Sequence, residues 1–312
     1  MNSIRSIIEK YDYKPKKISL LNNIEIIETQ DDKYIIKKKS NNDIKDIFKY
    51  LRTKGFYNYL DSINDDRDDK YLIFPYIDNV TTDLNDKGKD LISLIALLHS
   101  KTYYYKSISL DEVKKIYEEK TDYLNELDKY YDELRHNIEE QQFLSPSDYY
   151  LLRNISWIFH SVSSSKYFLD KWYDIIKNKK SKRVALIHGN LEFDHLLESN
   201  DKFIISWDNA RNDSVVYDLI NLYRKNYSDT DFYNLFKLYE SYFPLEEYEK
   251  YFLFSLMFEP TKIVFDNTYI LSLSKCYYLI KYLKTSSDII SNYHSKNANN
   301  KDNKKEKQEK SV

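Results

Sequence analysis

The scarcest residue in this chain constrains it most. Only three glycines occur among 312 residues, at positions 55, 88 and 189. Phosphate-cradling loops need two or three glycines within about eight residues, because backbone N–H groups must close on an anion with no Cβ in the way. A Walker-type loop and a GxGxxG fingerprint are therefore excluded. Proline is scarce too, with five residues, so long stretches carry nothing that breaks a helix. A single cysteine, Cys276, rules out a disulfide within the chain and a cysteine-rich zinc site, and it reads as a reducing compartment.

Charge and length narrow the class further. Lys and Arg number 48 and Asp and Glu 50, for a net charge of −2. This balance gives no global electrostatic reason to bind nucleic acid or an acidic membrane. The 32 tyrosines are spread along the chain without a repeat, which fits AT-rich coding better than an adhesive surface. No run approaches 18 apolar residues, so no transmembrane helix is expected. The first residues, MNSIRSIIEKYDYKPKK, lack the apolar core of a signal peptide. A cytoplasmic protein of about two lobes is the expectation.

Periodicity orders the chain. IEIIET and KYIIKK read as strands joined at Gln30-Asp31-Asp32. Residues 43–54 place Ile44, Ile47, Phe48 and Leu51 at helical spacing, with Gly55 as a stop. Residues 71–77, YLIFPYI, read as a further strand. From Asp86 the period is helical. One long charged helix is predicted over 110–143, and Ser145-Pro146-Ser147-Asp148 breaks it, with Asp148 as a first-turn helix charge. One or two helices follow over 147–179. VALI and FIISW then read as short strands flanking a loop within 183–210, and helical patterns return at 214–227, 230–241, 245–258 and 269–295. The tail from 296 is charged and reads as disordered.

The densest chemistry lies at 186–219. Leu186-Ile187-His188-Gly189-Asn190-Leu191 leads through Glu192 and Asp194 to His195. Ile204-Ile205-Ser206-Trp207-Asp208-Asn209-Ala210 follows, then Val216-Tyr217-Asp218-Leu219. In order and spacing these blocks resemble the catalytic core of the aminoglycoside phosphotransferase and choline kinase-like superfamily, which carries HGD-L-x-x-x-N, I-D-W-x-x-A and D-L-A. Ahead of them, Tyr34-Ile35-Ile36-Lys37 resembles the strand that carries the family's phosphate-contacting lysine. Asp78-Asn79 is similar to its hinge, and Ala96-Leu97-Leu98-His99-Ser100 to its A-x-L-H-s helix end.

The resemblance spans roughly residues 15–290. It implies an α+β, bilobal protein kinase-like fold. A small N-terminal antiparallel-sheet lobe (1–80) would precede a large, mostly helical C-terminal lobe (81–295), and a disordered tail (296–312) would close the chain. It implies a catalytic-loop-like segment at 186–219, Lys37 and Asp78 as nucleotide contacts, His188 and Asp218 as structural supports, and ATP with magnesium as cofactors if the protein is active.

Three departures bear on activity. Asn190 stands where the family's general base is an aspartate, and a carboxamide is no base near neutral pH. His195 stands where an asparagine ligates magnesium, although Mg²⁺ wants hard oxygen ligands. Ser206 stands where an aspartate ligates the metal that bridges the phosphates, and it brings no charge. Asp43 and Asp46 are candidate acidic partners for Lys37. Asp208 shares the face of Ser206 if the strand runs that far, and with Glu192 and Asp194 it is a candidate replacement carboxylate.

The pattern His-Gly-x-Leu-x-x-x-His-x-Leu also resembles the kinase-like spore coat proteins of endospore-forming bacteria, several of which lack the catalytic aspartate. Two readings follow. One is a degenerate kinase-fold protein without phosphotransferase activity, acting as a binding or scaffold protein, with spore coat proteins as partners and the spore coat as its place. The other is an active ATP-dependent phosphotransferase for a small hydroxylated or amino compound. In either reading the partner is a nucleotide or small molecule, with no nucleic acid and no membrane.

Overall fold

The computed structural model describes residues 7–8, 10–11, 13–21, 24–39, 44–64, 70–80, 82–266 and 268–309, with side chains up to 293. The first element is a four-stranded antiparallel sheet in the order β1 (Lys17–Leu21), β2 (Ile24–Glu28), β3 (Lys33–Lys38), β4 (Tyr71–Pro75). Strand alternation sorts its side chains. Ile27, Ile36 and Ile73 pack on one face with Ile7. The opposite face carries Ile35 and Lys37, paired in register with Phe74 and Leu72. Helix α1 (Ile44–Thr53) lies against this second face and buries Ile44, Phe48 and Leu51, one stripe at i, i+4, i+7. It stops at Gly55, whose φ of +68° is the left-handed conformation a C-terminal stop uses.

The C-terminal region is helical with small sheets set into it. Helices α2 (Leu84–Thr102), α3 (Leu110–Glu139) and α4 (Pro146–Ile176) come first. Capping boxes, Ser109 with Glu112 and Ser145 with Asp148, start α3 and α4. Asp148 thus caps the backbone as well as placing a charge at the helix start. The 147–179 region is a single helix, since no glycine or proline interrupts it. Strands β5 (Tyr104–Ser107), β6 (Ser181–Ile187) and β9 (Arg211–Asp213) form one small sheet, and β7 (Leu196–Glu198) pairs with β8 (Lys202–Ile204) as a hairpin. Helices α5 (Val216–Asn226), α6 (Phe232–Tyr242), α7 (Glu247–Phe258) and α8 (Tyr269–Glu309) complete the chain. The backbone of α8 runs on as helix through the stretch from 296 that composition reads as a tail; that stretch holds no proline or glycine to stop it.

Bonds across the waist fix the two regions together. Val80 N–H donates to Glu198 O (2.8 Å), and Glu198 N–H donates to Asn79 Oδ1 (2.8 Å). Ile204 N–H donates to Asn58 O (2.9 Å), so the segment after α1 is stitched to the β7–β8 hairpin. None of the helices among the described residues is long and apolar enough to cross a membrane.

Candidate functional site

The loop after β6 rests on a buried carboxylate. Asp218 is fully buried in the first turn of α5. Its two oxygens accept from His188 N–H (2.7 Å) and Gly189 N–H (2.8 Å), and His99 Nε2 lies 3.2 Å away. Burial alone would raise this carboxyl, but the hydrogen bond and charge of His99, with His188 and the Gly189 N–H, hold it below its ordinary value. Gly189 has φ +81°, and a Cβ there would sit 2.3 Å from Asn209 O. Only glycine fits, so this one glycine is explained by the loop's path.

Helix α5 meets the loop along one face. Asp218, Asn221 and Lys225 recur at i, i+3, i+7. Asn221 Nδ2 donates to Gly189 O (3.2 Å), and Lys225 Nζ donates to Asn190 Oδ1 (2.8 Å). Lys225 also pairs with Glu192 Oε1 at 3.2 Å, and the same oxygen lies 3.1 Å from His195 Nε2. Asn190 is therefore held by a cation. Of the carboxylates near it, Glu192 is turned to Lys225 and His195.

Both loop histidines are pushed toward the neutral form. His188 is lowered mainly by burial, against the pull of Asp218. His195 is lowered to about 4 by burial and then by the charge of His188, with Glu192 opposing. His188 Nε2–H donates to Ile205 O at 2.8 Å.

The 204–210 segment departs from the strand expected there. β8 ends at Ile204, and Ser206 adopts φ 67°, ψ 46°, the left-handed region. Trp207–Asn209 then form a 3₁₀ turn. The strand does not run as far as Asp208, so alternation does not aim this side chain. The left-handed kink does so instead: Asp208 forms an ion pair with Lys37. Trp207 is core, donating from Nε1 to Ile204 O (2.8 Å) and meeting Phe48 edge-on. Asp46 is exposed on α1, and Asp43 lies outside the described residues.

Lys37 and Ser206 line a cavity of ≈ 80 Å³ between the sheet and the β7–β8 hairpin. Its walls are otherwise apolar, with Ile35, Phe74, Leu197 and Ile205 among them. Asp78 lies in the exposed connection after β4 and is not among the residues lining this cavity. Asn79 ties that connection down instead. Sequence reasoning missed Lys225 and Asn221, which carried a signal, helical spacing from Asp218; Asn79 was read with Asp78 as a hinge, and its tie to Glu198 was not foreseen.

Comparison with solved structures gives the fold a precedent. An aminoglycoside phosphotransferase from Alicyclobacillus acidocaldarius superposes with a TM-score of 0.68 at 12% identity, covering 93% of this chain and 96% of that one. The fold is that of the aminoglycoside phosphotransferases. An AMP-bound spectinomycin phosphotransferase matches with a TM-score of 0.54 at 14% identity over 92% of this chain and 94% of that one. A glucosamine kinase in complex with glucosamine, ADP and inorganic phosphate matches with a TM-score of 0.51 at 8% identity, covering 88% and 75%. No family model and no curated protein matches the sequence.

The donor set does not suit magnesium. Of the two positions that would carry it, one offers an imidazole whose Nε2 faces Glu192 and the other a neutral hydroxyl. Asp208, the nearest replacement, is engaged by Lys37. Among the described residues no group of three or more His, Cys, Asp or Glu side chains is arranged to hold a metal ion.

Proposed function

We propose that this protein is a kinase-fold binding module that does not transfer phosphate. The observation that carries the reading is Asn190, whose amide oxygen accepts from Lys225 at 2.8 Å. A general base must take a proton from the acceptor hydroxyl, and a carboxamide beside an ammonium group has no affinity for one. Loss of a positioned base alone removes about 10²- to 10⁴-fold in rate. Loss of metal-held charge stabilisation removes several kcal/mol more.

The ligand of the module is a nucleotide or another small molecule with a flat, largely apolar ring. The apolar walls of the cavity and the cation of Lys37 at its edge support this, as do fold relatives described with AMP or ADP bound. Attachment to a spore coat rests on the resemblance of the His-Gly-x-Leu-x-x-x-His-x-Leu pattern alone.

A second reading, an active small-molecule phosphotransferase, is favoured by one observation: Asp208 reaches Lys37 at the cavity edge. The two readings separate in one assay. The protein is incubated with ATP, Mg²⁺ and a panel of amino sugars, amino alcohols and simple sugars, and transferred phosphate is measured. The binding-module reading expects no transfer above the no-protein background, together with a thermal shift on adding ATP that Lys37→Ala abolishes. Magnesium-dependent transfer that is lost in Asp208→Asn would overturn it.

A further inference from the structure

A second cavity lies between the end of α5, the loop of residues 259–266 and the first turns of α8. Its volume is ≈ 780 Å³, against ≈ 80 Å³ at Lys37, and the two cavities share no lining residue. That volume falls within the span of small-molecule sites, about 300–1,000 Å³. Helix α8 presents Leu271, Lys275, Tyr278 and Tyr282 to it, a stripe at i, i+4, i+7, i+11. The loop wall is pinned. The Tyr130 and Tyr131 hydroxyls of α3 donate to Ile263 O and Thr261 O, and Lys275 Nζ donates to Val264 O at 2.9 Å. The space is therefore built into the fold, as a preformed ligand site is.

Two properties of the walls say what would fill it. The first is apolar and aromatic surface left in water. Val264 (69% exposed), Leu271 (55%) and Tyr278 (56%) all line the cavity. Tyr227 adds a further ring, and its hydroxyl is anchored on Tyr278 O (2.9 Å). Covering such surface with an apolar ring is favourable. The second property is the sign of the charge. Arg224, Lys262 and Lys275 line the cavity, against Glu259 and Asp266. Both carboxylates are already engaged: Glu259 by Lys120 (3.0 Å) and Arg224 (3.4 Å), Asp266 by Lys275 (2.7 Å). Lys262 pairs with Glu126 at 3.8 Å, and Glu126 is not part of the wall. The wall therefore carries a surplus of positive charge. An anion gains there, whereas an amine must displace a pair already made.

We propose that this cavity binds a small organic anion, a carboxylate on an apolar, ring-bearing body. The ring lies against Leu271 and Tyr278, and the carboxylate turns to Lys262 and Arg224. The same charge discriminates against amino compounds of equal shape. A nucleotide at Lys37 is neither required nor displaced, since no lining residue is shared. The transfer assay can therefore fail or succeed without moving this result.

The test titrates the full chain with three probes that share one ring system and differ in charge: indole-3-acetate, indole-3-acetamide and tryptamine. Calorimetry reads the affinities. Indole-3-acetate is expected to bind about 3- to 10-fold more tightly than the amide, and tryptamine most weakly. Lys262→Glu should remove the preference for the acetate. Leu271→Gln should weaken acetate and amide alike. Both positions are exposed, so both variants keep the fold. Lys114→Glu makes the same change in net charge at an exposed site on α3 outside the cavity, and it should leave all three affinities unchanged. Excess ATP should not displace the acetate. No binding of indole-3-acetate, or equal or tighter binding of the amide or of tryptamine, overturns the proposal. So does acetate binding that Lys262→Glu and Leu271→Gln both leave unchanged. A preference lost equally in Lys114→Glu also overturns it, by showing attraction to the whole chain and not to this wall.

Discussion

Asp218 and Asp208 are two paired carboxylates in different surroundings, one beneath the loop that follows β6 and one beside Lys37 on β3. Beneath the loop, Asp218 is sealed from water and spends both oxygens on backbone N–H groups and His99. At the rim, Asp208 sits on a 3₁₀ turn, about one-fifth exposed, and pairs with Lys37. The floor carboxylate is sealed among backbone donors, while the rim carboxylate pairs with a side chain beside solvent. A buried carboxylate that satisfies several donors cannot be changed without leaving them orphaned, whereas a rim residue can be changed with water as the replacement partner.

The sharpest way to break this comparison is to damage the floor. Asp218→Ala should cost about 3–5 kcal/mol, because it strands the His188 and Gly189 N–H groups and the His99 ring in a dry interior. Urea unfolding checks it, and a loss under 1 kcal/mol would show that the floor is no anchor. Gly189→Ala should cost about 2–4 kcal/mol from the positive φ and the clash with Asn209 O. The same titration applies, and an unchanged midpoint would mean the loop has another path.

The rim should respond weakly. Ser206→Gly should stabilise by about 0.5–1 kcal/mol, since relief of left-handed strain exceeds the added freedom of glycine in the unfolded chain. A lowered melting temperature would count against the kink as a strained position. The smallest effect is expected for Lys225→Met, within about 0.5 kcal/mol, as an exposed ion pair contributes little. On the binding-module reading, Asn190→Asp in the Lys225→Met background should give no phosphate transfer, and measured turnover would count against that reading.

Much of the fold was legible because its signals are local. The stripe Ile44, Phe48, Leu51 and the stop at Gly55 predict α1 within a residue or two, and the alternation of KYIIKK places Lys37 and Lys38 on opposite faces. Strands β5 and β9 were not legible. Each is three or four residues long and largely exposed, and each exists because β6 offers an edge. The site divides in the same manner. The motif residues 188, 190, 195, 206 and 218 were picked out by the family resemblance that their order and spacing carry. The ion pair of Lys37 with Asp208 could not, because a strand continued past Ile204 would have aimed Asp208 by alternation, and the backbone turns left-handed at Ser206 instead.

The sequence by itself determined where helices and the main strands form, which residue types stand at each motif position, and that no glycine-rich loop exists. Those properties depend on neighbours within a few residues. The tertiary structure alone decided which polar side chains meet: Lys37 with Asp208, Lys225 with Asn190, and His188 beside His195. The physical reason is range. Periodicity is set by backbone geometry over one or two turns, while an ion pair such as Lys37 with Asp208 depends on the packing of segments far apart in the chain.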